Sequence, residues 1–283
     1  MDKPSRRKEL ADFLRTRRQR LAPADVGLNI DTSRRRTPGL RREEVAGLSG
    51  ISLPWYTALE QAKDIRVSEQ VLLSLAGTLQ LSEDERNHFF ILANAASSAP
   101  VLTSEEPISP ILQQILDRFG TYPAYISNEK WNVIAWNEAA KALLGDFDRH
   151  EEIETNILWR IFMLETNKRQ IVNWDQFAAS LVAQFRSRYA VYIDDPWYTY
   201  LVHRLMEASA DFRMFWERHD VSKTQAGKKD FILPKVGLLE FNHTTFSVSE
   251  NTDFVMAVYT PAAGTPTDQR MKEWMALTVD EHN

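Results

Sequence analysis

The chain has 283 residues, of which 43% are hydrophobic and 26% charged, and its net charge is −5. This length allows one large domain or two smaller ones, each able to bury a core. The absence of cysteine excludes disulfides, thiol nucleophiles, iron–sulfur clusters and cysteine-bound zinc. With neither a long apolar run nor a secretory signal in the sequence, we expect a cytoplasmic protein without a membrane partner.

The charge is distributed unevenly along the chain. Residues 1–45 contain 13 basic and 7 acidic side chains, a net of +6, whereas residues 101–283 carry a net of −8. Opposite charges in two parts of one chain indicate two domains with different partners. The overall charge of −5 therefore does not exclude a nucleic-acid partner for the basic part.

The N-terminal part has the pattern of a compact bundle of five short helices. Apolar residues recur there at helical spacing. Gly50 lies at a turn that requires a positive φ, Ser52 is suited to the N-cap of the next helix, and Pro54 fits its first turn. The spacing predicts a helix-turn-helix within an all-α domain over residues 1–97.

The run RRRTPGLRREEVAGLSGISLPWYTALEQAKDI, residues 34–65, resembles the helix-turn-helix of XRE/Cro-like regulators, in the variant found in MmyB-like bacterial transcription regulators. It departs from that pattern at Ala62, where the family usually has a helix-ending glycine, and at Val67, where proline is common. The resemblance implies double-stranded DNA as a partner. Since single units rarely offer enough interface for specific binding, we expect a homodimer on a palindromic or repeated site.

In this docking mode the second helix of the motif enters the major groove and basic residues around it contact phosphates. The predicted DNA-binding residues are Arg34, Arg35, Arg36, Thr37, Arg41, Arg42, Ser52, Leu53, Pro54, Thr57, Ala58, Gln61 and Lys63. The base-facing residues among them, Leu53, Pro54, Thr57 and Ala58, include no Arg, Asn or Gln, so thymine methyl contacts and DNA shape would carry specificity. We assign Trp55 and Tyr56 to the core of the domain.

Residues 98–107 are rich in Ser, Pro and Glu and predict a linker. Beyond it lie 7 of the 8 tryptophans. A helix ending at Gly120, a hairpin over residues 125–136, helices near 173–190 and 197–218, and three C-terminal strands follow in order. This order predicts an α+β, PAS-like domain over residues 108–283, with a five-stranded antiparallel sheet and helices over one face.

This second half resembles the ligand-binding domain of MmyB-like regulators. PAYISNEKWNVIAWNEAAKALLGDF, NILWRIF and KVGLLEF match its segments in order. Leu233 stands before Pro234, where many members of the family carry a histidine. The resemblance implies a PAS-like sensor of a small hydrophobic ligand, coupled to the DNA-binding half.

A sensor of this kind needs apolar walls and a few polar anchors, and arginine is suited to a carboxylate head group. The candidate ligand-binding residues are Trp131, Trp136, Asn156, Trp159, Arg160, Phe162, Arg186 and Arg204. A fatty acid is the specific effector we expect, bound non-covalently and without any other cofactor. The competing interpretation of each aromatic is plain core, and that of each arginine is a surface ion pair.

Two other functional classes remain open on the sequence. One is an enzyme whose helical N-terminus only localises it, although no nucleophile–base motif is present. The other is a protein-interaction module with a filled core. The histidines have no metal-ligand spacing, so we expect neither a metal site nor catalysis.

Overall fold

The structure is a computed structural model that describes residues 3–28, 39–93, 108–148, 151–222, 227–251 and 253–280. It contains two compact units. The first comprises Met1–Val101, Val182–Tyr200 and Met214–Lys223, and the second comprises Leu102–Leu181, Leu201–Arg213 and Thr224–Asn283. Two segments of the predicted sensor half are thus part of the unit that contains the helix-turn-helix. The predicted linker, residues 98–107, lies outside the described residues.

The described residues of the N-terminal part of the first unit form helices and no strand, as the apolar spacing predicts. Its helices are α1 (Lys3–Arg20), α2 (Arg42–Leu48), α3 (Leu53–Glu60), α4 (Glu69–Thr78) and α5 (Glu83–Ala93). Phe13, Val45, Tyr56, Leu72 and Phe89 are fully buried, one from each helix. Within residues 3–28 and 39–93 there are five α-helices, the number predicted, but α1 has 18 residues and is not short.

The chain passes very close to α1 just before α2 begins. The N–H of Leu40 donates to the carbonyl of Arg18 at 3.0 Å. A Cβ atom on Gly39 would lie 2.3 Å from the carbonyl oxygen of Gln19. Glycine is therefore required here for a close backbone approach, which fixes the entry to the helix-turn-helix against α1.

After residue 107, the first elements are α6 (Pro110–Arg118), β1 (Ala124–Ser127), β2 (Val133–Trp136), α7 (Glu138–Leu144), α8 (Ile157–Met163) and α9 (Glu165–Gln170). They are followed by α10 (Trp174–Val191), α11 (Pro196–Ala208), α12 (Ala210–Glu217), β3 (Gly227–Leu233), β4 (Gly237–Ser247), β5 (Val255–Pro261) and α13 (Thr267–Asp280). No helix in the described part of the chain is long and apolar enough to cross a membrane.

Two local predictions in this part are corrected. The helix predicted over residues 197–218 is broken at Ser209, whose hydroxyl accepts a hydrogen bond from the N–H of Phe212 at 3.1 Å and so begins α12. Trp131, which the predicted hairpin places in its second strand, lies in the turn before β2 with a φ of +67° and is not a strand residue. Both differences arise from single-residue capping and turn geometry, which apolar periodicity does not reveal.

The five strands form one antiparallel sheet in the order β2-β1-β5-β4-β3, which confirms the predicted α+β class. On one face, Leu112 and Leu116 of α6 pack against Ile126 and Val258. The opposite face, here called the inner face, contains Tyr125 of β1, Tyr259 of β5, Phe241 and His243 of β4, and Lys229 and Phe231 of β3. Helix α10 lies on the inner face through Phe177, so helices cover both faces and not one as predicted.

Candidate nucleic-acid interface and ligand-binding face

Helices α2 and α3 form the predicted helix-turn-helix. Gly50 lies in the turn between them with a φ of +68°. The hydroxyl of Ser52 accepts a hydrogen bond from the N–H of Trp55 at 3.4 Å and caps α3. Pro54 occupies the first turn of α3, where its missing N–H leaves no helical bond unmade. The local conformation of the motif is therefore the one that these three residue types predict.

Helix α3 is held in place by a buried carboxylate at its C-terminal end. Glu60 is 1% exposed. Its oxygens accept from Arg18 of α1 at 2.5 and 3.1 Å and from Arg42 of α2 at 2.6 Å. Although burial alone would raise the pKa of Glu60, the hydrogen bonds from Arg18 and Arg42 lower it. This carboxylate thus fixes the three helices relative to one another, a role that the sequence does not reveal.

The predicted base-facing residues lie on an accessible surface of α3. Leu53 is 42% exposed, Pro54 is also exposed, and Thr57 and Ala58 are partly buried. Tyr56 is fully buried, in agreement with its assignment to the core, and Trp55 is partly buried.

Several of the predicted phosphate-contacting residues are exposed. Gln61 and Lys63 are exposed beyond the C-terminal end of α3, and the side chain of Arg41 is 50% exposed. The side chain of Arg42 is 42% exposed but binds Glu60, so part of its hydrogen-bonding capacity is used within the unit. The predicted residues Arg34, Arg35, Arg36 and Thr37 lie outside the described residues.

Arg186, predicted as a ligand anchor, belongs instead to the first unit. It is fully buried, donates to a carboxylate oxygen of Glu9 on α1 and to the carbonyl of Trp216, and stacks 3.8 Å from the centroid of the Trp216 ring. The Nδ1 atom of His219 lies 3.4 Å from the same Glu9 oxygen. Although burial opposes ionisation of Glu9, the Arg186 charge lowers its pKa to about 2. The prediction for Arg186 is corrected, because its guanidinium is already bound to groups of its own unit.

Asn156 and Arg160, the other buried polar anchors predicted, stabilise the fold of the second unit. The Asn156 side chain caps α8 by accepting from the N–H of Trp159 at 3.1 Å and donates to Asn132 and to the carbonyl of Lys130 at 2.8 Å. Arg160 donates to three backbone carbonyls at 2.8–3.1 Å and stacks on Phe147. Their polar groups are therefore used by the chain itself, which does not fit the anchoring role predicted for them.

The predicted aromatic walls pack mainly against side chains of their own unit. The ring of Trp136 lies 5.3 Å from that of Phe147, and Phe162 lies edge-on to Trp174 and Phe212. Arg204 is exposed, with its guanidinium 5.7 Å from the ring of Trp159. These contacts agree with the alternative interpretation, in which the aromatic residues belong to the hydrophobic core. They do not bring the predicted set together around one space.

The inner face holds a group of polar and aromatic residues that the sequence analysis did not identify. The hydroxyls of Tyr125 and Tyr259 form a hydrogen bond, and burial raises the pKa of Tyr125 to about 12. The ring of His243 lies 4.8 Å from that of Tyr259. Lys229 extends from β3 to within 5.0 Å of the Phe177 ring and 5.4 Å of the Tyr259 ring. The alternation of side chains along β3, GKKDFIL, could have identified Lys229, since it places this residue on the same side as buried Phe231.

Among the described residues, no group of three or more His, Asp or Glu side chains is arranged to hold a metal ion. The side chains of the candidate sites can bind a charged group through their own charge and an apolar group through their aromatic rings.

Comparison with known families gives two matches that together cover most of the chain. Residues 108–274 match the family described as MmyB-like transcription regulator ligand binding domain. Residues 9–89 match a family described as helix-turn-helix domain. Neither description names an enzymatic activity. A search of curated proteins finds no match.

Proposed function

The chain belongs to the MmyB-like transcription regulators, and we propose that it acts in the cytoplasm as a sequence-specific DNA-binding homodimer. In this proposal its ligand-binding domain responds to a fatty-acid-like amphiphile. In this proposal α3 enters the major groove of double-stranded DNA. The effector binds the second unit and changes the affinity of the first unit for its DNA site.

The DNA-binding part of the proposal rests on one observation. The N-terminal end of α3 is accessible, while its C-terminal end is held by contacts with α1 and α2. Leu53 and Pro54 are exposed at that end, while Glu60 fastens the other end to α1 and α2. A recognition helix reads base edges with its N-terminal residues, and rigid placement keeps the cost of ordering the interface low. The mostly apolar reading face favours contact with thymine methyl groups over bidentate hydrogen bonds.

The effector part rests on the aromatic inner face of the second unit, where Tyr125, Tyr259 and Phe241 are buried. Small-molecule sites are mostly apolar, with few polar groups. The first unit includes segments 182–200 and 214–223, which lie within the residues that match the ligand-binding family. This overlap supports a connection between effector binding and DNA binding. An effector regulates DNA binding only if it has different affinities for the two states of the protein.

The DNA-binding proposal predicts a specific change in salt dependence for Arg41→Ala. A duplex is first selected with the full-length protein from a pool of random sequences, and its affinity is then measured across salt concentrations. Because each neutralised phosphate adds about one to the slope of log affinity against log salt, Arg41→Ala should lower that slope by about one. Losing Arg41 should weaken binding to all sequences alike, since a phosphate contact carries no sequence information.

Arg169→Ala is the matched control, because Arg169 is an equally charged residue of the second unit whose side chain is 77% exposed. Its salt slope should equal that of the unmodified protein. An unchanged slope for Arg41→Ala would remove Arg41 from the phosphate-contacting surface. Failure to select any duplex would contradict the DNA-binding proposal as a whole, and native mass spectrometry of the selected complex should show two chains for each duplex.

A further inference from the structure

The outer face of the sheet, opposite the inner face, is covered by a helix on one half. Through Leu112 and Leu116, α6 packs there against residues of β2, β1 and β5. The outer side chains of β4 and β3 remain accessible, since Ile232 is 54%, Leu238 37% and Phe246 53% exposed. The strand register places all three on this face. We call the outer surface of β4 and β3 the open half.

Helix α6 also has an apolar side that the sheet does not bury. Ile111 and Ile115, one turn apart, are 62% and 42% exposed, and exposed Arg118 lies on the same side of the helix. A shallow groove along this side is lined by Ile111, Gln114, Ile115, Arg118 and Phe119. Of the eleven large apolar side chains that are exposed in the described part of the chain, five lie on α6 or the open half. Such grouping marks an interaction surface.

Two carboxylates face each other within the open half. Asp230 of β3 pairs directly with Glu240 of β4, and like charges opposite each other destabilise a sheet. Among the described residues no cation forms an ion pair with either of them, and the Oδ1 atom of Asp230 is buried without a hydrogen-bond partner. Arg118 also forms no ion pair within the described chain. The open half thus needs a cation, and the exposed side of α6 carries one.

We propose that the exposed side of α6 and the open half together bind a second copy of the chain. Around a two-fold axis, α6 of each copy would lie on the open half of the other. Ile111 and Ile115 would pack against Phe246 of the partner subunit. Arg118 would pair with Asp230 and Glu240 of the partner subunit. This inference rests on the proposed homodimer and adds the surface that forms it.

Three features favour a second copy over another protein. The surface is self-complementary, because each copy has both an apolar helix side and an open apolar strand pair, which a two-fold axis brings together. The charges are complementary in the same arrangement. The size also fits, since stable interfaces bury about 1,600 Å² in total. One nine-residue helix, about 14 Å long, is too small by itself, but the two-fold contact uses two helices and two open halves.

The test measures self-association of the full-length protein without DNA, by sedimentation equilibrium. The unmodified protein should be a dimer. Ile115→Glu should raise the Kd of the dimer at least about tenfold, because it places a charge in an apolar contact. Arg118→Glu should do the same, because it places like charges against Asp230 and Glu240 of the partner subunit.

Two exposed residues of the second unit outside this surface supply matched controls. Met163→Glu and Arg169→Glu should leave the Kd within about threefold of that of the unmodified protein, since Met163 is 36% and the Arg169 side chain 77% exposed. Adding Glu240→Arg to Arg118→Glu should restore most of the affinity, because the exchanged charges attract each other again across the interface. Circular dichroism checks that each variant is folded.

The outcomes separate this surface from the proposed homodimer. An unchanged Kd in Ile115→Glu and Arg118→Glu, or no recovery on charge exchange, would overturn the surface and leave the homodimer standing. The same holds if the unmodified protein is monomeric without DNA but places two chains on each selected duplex. One chain on each duplex would contradict the homodimer itself, and the surface falls with it. Weaker association in both variants, with recovery on charge exchange, supports both.

Discussion

At the scale of single residues, Ala62 shows how a backbone conformation can conflict with a side chain. It follows α3 with a φ of +56°, and the N–H of Lys63 closes the helix end on the carbonyl of Ala58 at 3.0 Å. A left-handed conformation costs a residue with a Cβ atom about 1–2 kcal/mol, whereas glycine adopts it freely. Ala62 is also the position where the sequence departs from the helix-ending glycine of its family.

Ala62→Gly should therefore stabilise the protein by about 0.5–1 kcal/mol, because relief of the strained φ exceeds the added flexibility of glycine in the unfolded chain. The free energy of unfolding in urea measures the change. Ala58→Gly is the control, since the same exchange inside α3 should destabilise by about 0.5–1 kcal/mol. If both variants change the free energy of unfolding in the same direction, the conformation of residue 62 does not control stability.

At the scale of elements, helix α1 joins the helix-turn-helix to the later segments of the first unit. Arg18 binds Glu60 of α3, and Glu9 binds Arg186 of α10. The guanidinium of Arg17 donates to the carbonyl of His219 at 2.5 Å. Helix α1 thus makes the contacts that hold α3 of the helix-turn-helix and those that hold residues of the ligand-binding match.

Arg186→Met should lower the free energy of unfolding by about 3–5 kcal/mol, because Glu9 would stay buried without its cation. Urea unfolding followed by tryptophan fluorescence is a direct measurement. Arg169→Met removes an arginine from an exposed i,i+4 pair with Glu165 and should change stability by less than about 0.5 kcal/mol. A loss below about 1 kcal/mol for Arg186→Met would mean that Glu9 finds other partners and that this ion pair does not hold the elements together.

At the scale of the whole molecule, buried titratable groups in the two units set the pH dependence of stability. Burial, with the nearby Arg186 and Arg17 charges, lowers the pKa of His88 from 6.5 to about 3, so its contribution is present above pH 6.5 and is lost as the pH falls toward 3. Burial lowers the pKa of Lys229 from 10.5 to about 7, so stability should rise further between pH 7 and 10.5. Above pH 10 the raised pKa of Tyr125 reverses the trend, since the unfolded chain then loses that proton first.

Stability measured by urea unfolding should therefore be greatest near pH 9–10, with slopes of up to about 1.4 kcal/mol per pH unit from each group. His88→Leu should flatten the profile between pH 4 and 6.5 only, and Lys229→Met between pH 7 and 10 only. The two variants are controls for each other because their residues belong to different units. A profile of the unmodified protein that is flat from pH 5 to 9 would contradict the buried state of both groups.

The sequence alone determined the features that depend on neighbouring residues. Gly50, Ser52 and Pro54 specify the turn and cap of the helix-turn-helix, and the alternation of apolar residues specifies the strands, because φ preferences and side-chain periodicity are local properties. The fold class and the accessible end of α3 follow from them. Single-residue effects such as the break at Ser209 were missed, since periodicity averages over several residues.

Only the tertiary structure decided which charged groups meet. Arg18 and Glu60 are 42 residues apart in the chain, and Arg186 and Glu9 are 177 apart. A residue type fixes what a side chain can bind, but the fold fixes what lies within reach and whether water is excluded there. For this reason Arg186, a predicted ligand anchor, forms an internal ion pair, while Lys229, with no local motif to mark it, lies among the aromatic rings of the inner face.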